Sequence, residues 1–268
     1  MGIFSVFSKS NTLYFPGCIA YFRDKDSFEL WKKIFYKLGI DFKLAEKKVC
    51  CGLPALEAGY DSLARKLARR NFEIFKEEKI DKILTPCPVC YKMFKEDYKR
   101  FLPEWNIEAL NVWKIILDKL EEKPGLIKNK VNEEEGKLIN KVNEDGETGF
   151  QDSCYLGRYS GIYEEPREIV KLIGYKIKEI KDNRENCFCS GSCGSLPITN
   201  PELANKTARE KLLQFKRAGI KKLIVCSPEE YELLKKNSTE TKIEILEFSE
   251  ILGNALGLIQ KQDEGDSK

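Results

Sequence analysis

Five cysteines early in the chain have the types and spacing of a metal-binding set: Cys18, the adjacent pair Cys50 and Cys51 that begins 32 residues on, and Cys87 and Cys90 in a CxxC. Each group follows a segment that reads as a β-strand, so one sheet edge can gather five thiolates. Soft sulfur ligands in excess of four suit an iron–sulfur assembly, in which several metal atoms share the ligands. Structural zinc is the rival, because CxxC is a common zinc half-site. Against zinc, the chain has no histidine, and adjacent cysteines make an awkward bite for one tetrahedral ion. A disulfide framework fits poorly, since such frameworks belong to short secreted chains, whereas this one has 268 residues, 33% of them charged.

The elements that must position these thiols alternate between strand and helix. Residues 12–15 read as a short strand, 28–38 as an amphipathic helix, 41–44 as extended, 63–75 as a helix, 82–85 as a strand, 90–98 as a helix, 107–111 as a strand and 112–120 as a helix. The second half repeats the order. Strand signals lie at 150–152, 175–180, 223–225 and 243–247, and a helix over 201–215 is capped by Asn200 with Pro201 at its first position. The expected fold is therefore α/β: two tandem, duplicated βα-repeat domains with parallel sheets and cysteines at the carboxyl ends of strands. The first domain is placed at 12–120 and the second at 150–258, followed by a flexible tail at 259–268. Between them, 121–149 is rich in Glu, Lys and Asn and repeats Asn129-Lys-Val-Asn-Glu133 as Asn140-Lys-Val-Asn-Glu144. Such a segment reads as a charged linker or hairpin.

With 42% hydrophobic residues and 46 basic against 43 acidic side chains, the chain is globular and nearly neutral at +3. The charges are interspersed, which leaves no nucleic-acid footprint. Apolar runs fall short of the ~20 residues that cross a bilayer, and the opening Met1-Gly-Ile-Phe-Ser-Val-Phe7 lacks the basic start of an export signal. The expected location is cytoplasmic, peripheral to a membrane only through a partner.

Pro16-Gly-Cys-Ile, Cys50-Cys-Gly-Leu-Pro-Ala and Cys87-Pro-Val-Cys90 resemble the cysteine-rich CCG domain that occurs twice in the B subunit of heterodisulfide reductase. The same domain is found in iron–sulfur subunits of glycolate and lactate oxidation complexes and in thiol:fumarate reductase. Asp152-Ser-Cys-Tyr-Leu-Gly-Arg158, Glu165-Pro-Arg167 and Asn200-Pro-Glu202 are similar to its second copy. The resemblance implies a non-cubane 4Fe–4S cluster held by Cys18, Cys50, Cys51, Cys87 and Cys90 in an intact copy, a cluster type that binds and reductively splits a disulfide in the heterodisulfide reductases.

The second copy departs from that pattern. Cys189-Ser190-Gly191 stands where the family has Cys-Cys-Gly, and an ungapped alignment pairs Cys87 with Ser227 and Cys90 with Glu230. Five cysteines remain, at Cys154, Cys187, Cys189, Cys193 and Cys226. The expectation is a remodelled site, most simply a cubane 4Fe–4S cluster on Cys154, Cys189, Cys193 and Cys226, with Cys187 as a substitute ligand or free thiol. A half that has lost its metal and a redox-active thiol pair are the alternatives. Gly52, Gly191 and Gly194 are expected to bring backbone N–H groups to cluster sulfurs. Arg158 and Arg184 are candidates to grip a carboxylate, and Trp31, Trp105 and Trp113 read as core.

The sequence thus points to an iron–sulfur subunit of an oxidoreductase complex that transfers electrons and reduces a small disulfide or thiol substrate. With no histidine, protons must come from water or an acidic side chain. Neither a ferredoxin-type cysteine run nor a flavin or nicotinamide motif is present. A ferredoxin-type iron–sulfur subunit, a flavoprotein subunit, or both are the expected partners. The alternatives are a pure electron carrier for a flavin-dependent lactate or glycolate dehydrogenase and a non-catalytic, zinc-stabilised interaction module.

Overall fold

The computed structural model describes residues 10–45, 49–127 and 147–259. In the first half, β1 (Thr12–Tyr14), α1 (Cys18–Phe22), α2 (Lys25–Leu38), α3 (Leu53–Glu57), α4 (Asp61–Glu77), β2 (Lys82–Leu84), α5 (Pro88–Lys92), α6 (Tyr98–Phe101), β3 (Glu108–Leu110) and α7 (Val112–Glu122) follow one another. The second half runs through β4 (Gly149–Gln151), α8 (Glu164–Leu172), α9 (Leu196–Thr199), α10 (Pro201–Arg217), β5 (Lys222–Val225), α11 (Pro228–Asn237), β6 (Glu244–Glu247) and α12 (Phe248–Ala255). Each half builds a parallel three-stranded sheet, in the orders β1-β2-β3 and β4-β5-β6. Leu13 pairs with Ile83 and Ile83 with Ala109, while Phe150 pairs with Ile224 and Ile224 with Leu246. These are the parallel sheets expected of a duplicated α/β chain.

Local sequence explains the helix limits. The Asp24 side chain accepts from the Ser27 N–H at 3.0 Å to open α2, and Gly39 closes it with a left-handed φ of 70°. Asn200 caps α10 by accepting from the Leu203 N–H at 3.1 Å, with Pro201 next in the chain.

Three sequence expectations change. The segments 41–44 and 175–180 contribute only single parallel bridges, Lys43 to Leu13 and Ile177 to Thr148. With β1 and β4 only three residues long, an edge segment can exchange one pair of bonds before it diverges. The helix expected over 90–98 starts earlier, at Pro88, and widens into a π-turn at Met93–Asp97 before α6. Finally, α7 runs to Glu122, inside the stretch assigned to the linker; the repeat at 129–144 lies outside the described residues.

The halves share a core. Trp31 of α2, Trp113 of α7 and Phe248 of α12 form an aromatic cluster with ring centroids 4.6–6.5 Å apart, and α2 packs on α12 as α7 packs on α8. Each half also has its own outer core: Ala64, Ala68, Phe75 and Phe94 in the first, Ala204, Ala208, Leu212 and Phe215 in the second. Trp31, Trp105 and Trp113 are all buried.

Candidate metal centre

In the first half the cysteine loops leave the carboxyl ends of the strands. Gly17, at φ 84°, turns the chain from β1 into α1, which Cys18 opens. A Cβ on Gly17 would lie 3.0 Å from the Cys87 Cβ and 3.3 Å from its Sγ, so only glycine lets this loop pass over the second one. Gly52, at φ 96°, turns the chain after the Cys50–Cys51 pair, and its N–H points to the Cys50 Sγ at 3.5 Å. Cys87 caps α5, with its N–H on the Thr85 hydroxyl at 3.3 Å, and Cys90 lies within that helix.

The pair itself is held from behind. Asn71 of α4 donates to the Cys50 carbonyl at 3.0 Å and to the Tyr98 hydroxyl at 2.9 Å, and Tyr98 of α6 donates to the Cys51 carbonyl at 3.0 Å. Both side chains are buried. Sequence reasoning missed them, because neither residue type nor spacing marks a residue that fixes another residue's backbone.

The five thiols are successive neighbours, Cys18 beside Cys50, Cys50 beside Cys51, Cys51 beside Cys90, and Cys90 beside Cys87. Hydrogen bonds from Cys18 and Cys51 pull Cys50 down to about 3. The bond to Cys50, followed by burial, pushes Cys18 up. Bonds to Cys51 and Cys87 push Cys90 up in the same way. Adjacent sulfurs cannot all ionise without a cation among them, so the donor set suits a cationic metal core in place of the thiol protons. From the second half, Glu229 reaches in, its Oε1 3.7 Å from the Cys87 Sγ.

The second half repeats the frame with different side chains. The Sγ atoms of Cys154, Cys189 and Cys193 all lie within 4.8 Å of one another. Gly191, at φ 90°, mirrors Gly52 and aims its N–H at the Cys189 Sγ at 3.3 Å. Hydrogen bonds from Cys154 and Cys193 hold Cys189 down to about 2, while its bond to Cys189 pushes Cys154 up to about 12. Arg158 donates to the Cys154 Sγ at 2.7 Å and to the Cys187 carbonyl at 2.6 Å. It braces the site and is not a free grip for a carboxylate. Arg184 is likewise engaged, by Glu164 at 2.6 Å.

Cys226 and Cys187 stand apart from this trio. Cys226 is buried in the shared apolar core that also contains Leu156, Ile169 and Phe248. It directly follows β5, one residue short of the position that matches Cys87 when Lys82 is aligned with Lys222. Cys187 turns to Lys211, a fully buried lysine of α10 whose Nζ lies 3.2 Å from its Sγ. Of the four thiols expected to form a second ligand set, Cys154, Cys189 and Cys193 lie within 4.8 Å of one another and Cys226 is not in that group. Gly194 also differs from expectation, for its N–H goes to the Tyr155 hydroxyl at 3.1 Å and not to a sulfur. Tyr155, absent from the sequence-derived site, in turn donates to Glu57 at 2.6 Å and ties the two halves together beside both thiol groups.

Thiols gathered at strand ends of a parallel sheet, twice in one chain, define a duplicated α/β protein that presents cysteines to metal. The chain belongs to the CCG cysteine-rich domain family, whose model matches residues 12–95 and 148–229. It is 28% identical over 261 residues to a subunit of the dihydromethanophenazine:CoB–CoM heterodisulfide reductase of Methanosarcina mazei, covering 94% of this chain and 61% of that one. An uncharacterized iron-sulfur protein of Methanocaldococcus jannaschii shares 28% over 240 residues, 88% of this chain and 44% of its own. A subunit of the fumarate reductase (CoM/CoB) of Methanothermobacter marburgensis shares 26% over 219 residues, 80% of this chain and 40% of its own. The chain spans about half the length of these relatives. Their names and the cysteine clusters support an iron–sulfur cofactor and an oxidoreductase-associated role. Among the described residues, no helix is long and apolar enough to cross a membrane.

Proposed function

We propose that the chain is an iron–sulfur subunit of an oxidoreductase complex, with a non-cubane 4Fe–4S cluster on Cys18, Cys50, Cys51, Cys87 and Cys90, and that it reduces a small disulfide. The observation that carries this reading is the unbroken line of five thiols drawn from three separate loops. When bound, the cluster supplies the two electrons that convert RSSR and two protons into two RSH. The chain's own residues hold and tune it: Gly52 offers its N–H to the Cys50 sulfur, and the Asn71–Tyr98 pair fixes the backbone of the adjacent cysteines.

Beside the thiols, a cleft of about 390 Å³ opens between the halves, a size that suits a small ligand. Ile19, Pro54, Val89 and Tyr155 give it apolar walls, and Lys236 and Arg23, the latter paired with Glu232 at 3.1 Å, also line it and offer cations to an anionic substituent. Glu57 and Glu229, whose carboxyl groups burial pushes up, also line it and are the acids placed to hold a proton there. Electrons arrive from a partner, a ferredoxin-type iron–sulfur subunit or a flavoprotein.

Electron paramagnetic resonance of the anaerobically purified chain, with and without added disulfide or thiol, tests the reading. About four irons with equal acid-labile sulfide, and a new signal on thiol addition, are expected. Electron uptake with no disulfide cleavage would leave a carrier role instead, and zinc without sulfide at the first site would refute the cluster.

A further inference from the structure

Glu57 ends α3, the short helix that follows the Cys50–Cys51 pair, and it lines the cleft between the halves. Among the described residues no cation pairs with it: Lys92, whose charge reaches it, is bound to Asp97 at 2.6 Å. Its side-chain partner is a phenol from the other half. The Tyr155 hydroxyl lies 2.6 Å from Glu57 Oε1 and 2.8 Å from Oε2. The Gly194 N–H donates to the same phenol oxygen at 3.1 Å, which turns the phenol's own proton toward the carboxyl.

The loop behind Tyr155 is shaped for this contact. Gly194 and Ser195 both have left-handed backbone, at φ 67° and 54°, a turn that brings successive N–H groups round to one side. The Ser195 N–H goes to the Glu57 carboxyl, and the Ser195 hydroxyl donates to the Pro54 carbonyl of α3 at 2.8 Å. Such a backbone is unfavourable for serine and persists where surrounding contacts over-determine it, most often at functional sites. Two opposed influences therefore meet at Glu57. Burial raises its carboxyl above 4.5, while the Tyr155 and Ser195 donors favour the ionised form and restrain that rise. The Cys193 thiol acts on Tyr155, and Glu229, Arg23, Glu232 and Lys236 are the other charged groups that line the cleft.

We propose that Glu57 is the acid that protonates a thiolate released from the disulfide, and that Tyr155 is the positioning residue that holds its carboxyl at the cleft. That role rests on the reading of the first-half thiols as the place of disulfide reduction. Two electrons delivered through that site break the S–S bond of RSSR and leave two thiolates. One takes the Glu57 proton and the other is protonated by solvent, giving two RSH. The Glu57 carboxylate, held by Tyr155 and Ser195, then regains its proton from water.

Reduction of bis(2-hydroxyethyl) disulfide by the full chain, purified anaerobically with its iron in place and driven by titanium(III) citrate, tests this across about pH 5 to pH 9. Turnover needs protonated Glu57, so kcat should fall as pH rises through its titration. Tyr155→Phe removes a donor to the carboxylate and should move that fall to higher pH, by about one pH unit for a hydrogen bond to a charged group. Glu57→Gln should abolish the fall and lower kcat roughly tenfold or more, with KM within about twofold. A merely structural role for Tyr155 would lower the rate evenly and leave the fall where it is. If Tyr155→Phe fails to fold, infrared difference spectra of the parent chain against Glu57→Gln report the carboxyl directly, and it should remain protonated above pH 4.5. A fall that the variants leave in place, or a Glu57 carboxyl already ionised at pH 4.5, would overturn the proposal. An iron-loaded parent chain with no turnover at any pH would instead refute the first-site reading and take this role of Glu57 with it.

Discussion

Cys51 stands between Cys50 and Cys90 and so joins the two ends of the thiol line. Cys51→Ala is expected to remove the first site's iron and paramagnetic signal while the Cys154–Cys189–Cys193 site survives; unchanged iron content would exclude Cys51 as a ligand. Behind it, Tyr98→Phe would leave the Cys51 carbonyl without its donor and take one partner from Asn71. A buried unsatisfied polar group costs about 1–3 kcal/mol. Urea unfolding should show a loss of that order, and iron should dissociate faster from the variant under chelator.

At the scale of elements, α4 and α10 are the repeated parts. Ala64, Ala68 and Phe75 recur as Ala204, Ala208 and Phe215, all buried and facing equivalent glycine turns. The turns are not equally tight. A Cβ on Gly52 would sit 3.4 Å from the Ala64 carbonyl oxygen, whereas one on Gly191 would sit 2.6 Å from that of Ala204. Left-handed backbone alone costs a non-glycine residue roughly 1–2 kcal/mol, and at Gly191 a backbone collision adds to it. Gly52→Ala should therefore shift the denaturation midpoint modestly and Gly191→Ala much more. Equal shifts would mean that α10 can move away.

For the whole molecule, the aromatic cluster of Trp31, Trp113 and Phe248 makes the halves one folding unit. Trp113→Ala is expected to cost about 3–5 kcal/mol and to lower both halves' stability in a single transition; two separated transitions would show that the halves fold alone. Glu247, at the same junction, accepts from Ser27 of α2 at 3.1 Å and from Ser249 at 2.8 Å. Burial raises its carboxyl from 4.5 to about 7. The folded state therefore holds this proton where the unfolded chain has lost it, so stability falls as pH rises from about 4.5 through 7, by about 3 kcal/mol in all. Glu247→Gln should flatten the thermal midpoint between pH 5 and pH 8. An unaltered slope would assign the titration to another group.

The strand-helix alternation, the duplication and the buried tryptophans were legible in the sequence because each leaves a periodic or repeated trace along the chain. The five spaced cysteines were legible for a similar reason, since residues that share one chemistry mark themselves by type. Tyr155, Asn71 and Glu229 carry no such mark; they matter through what lies opposite them, and only folding sets residues 155 and 57, or 229 and 87, side by side. Cys226 shows the same limit from the other direction. Its type made it a candidate ligand, whereas the structure buries it among Leu156, Ile169 and Phe248 and leaves it out of the close group of Cys154, Cys189 and Cys193; side-chain placement at a strand end depends on a register that composition does not record.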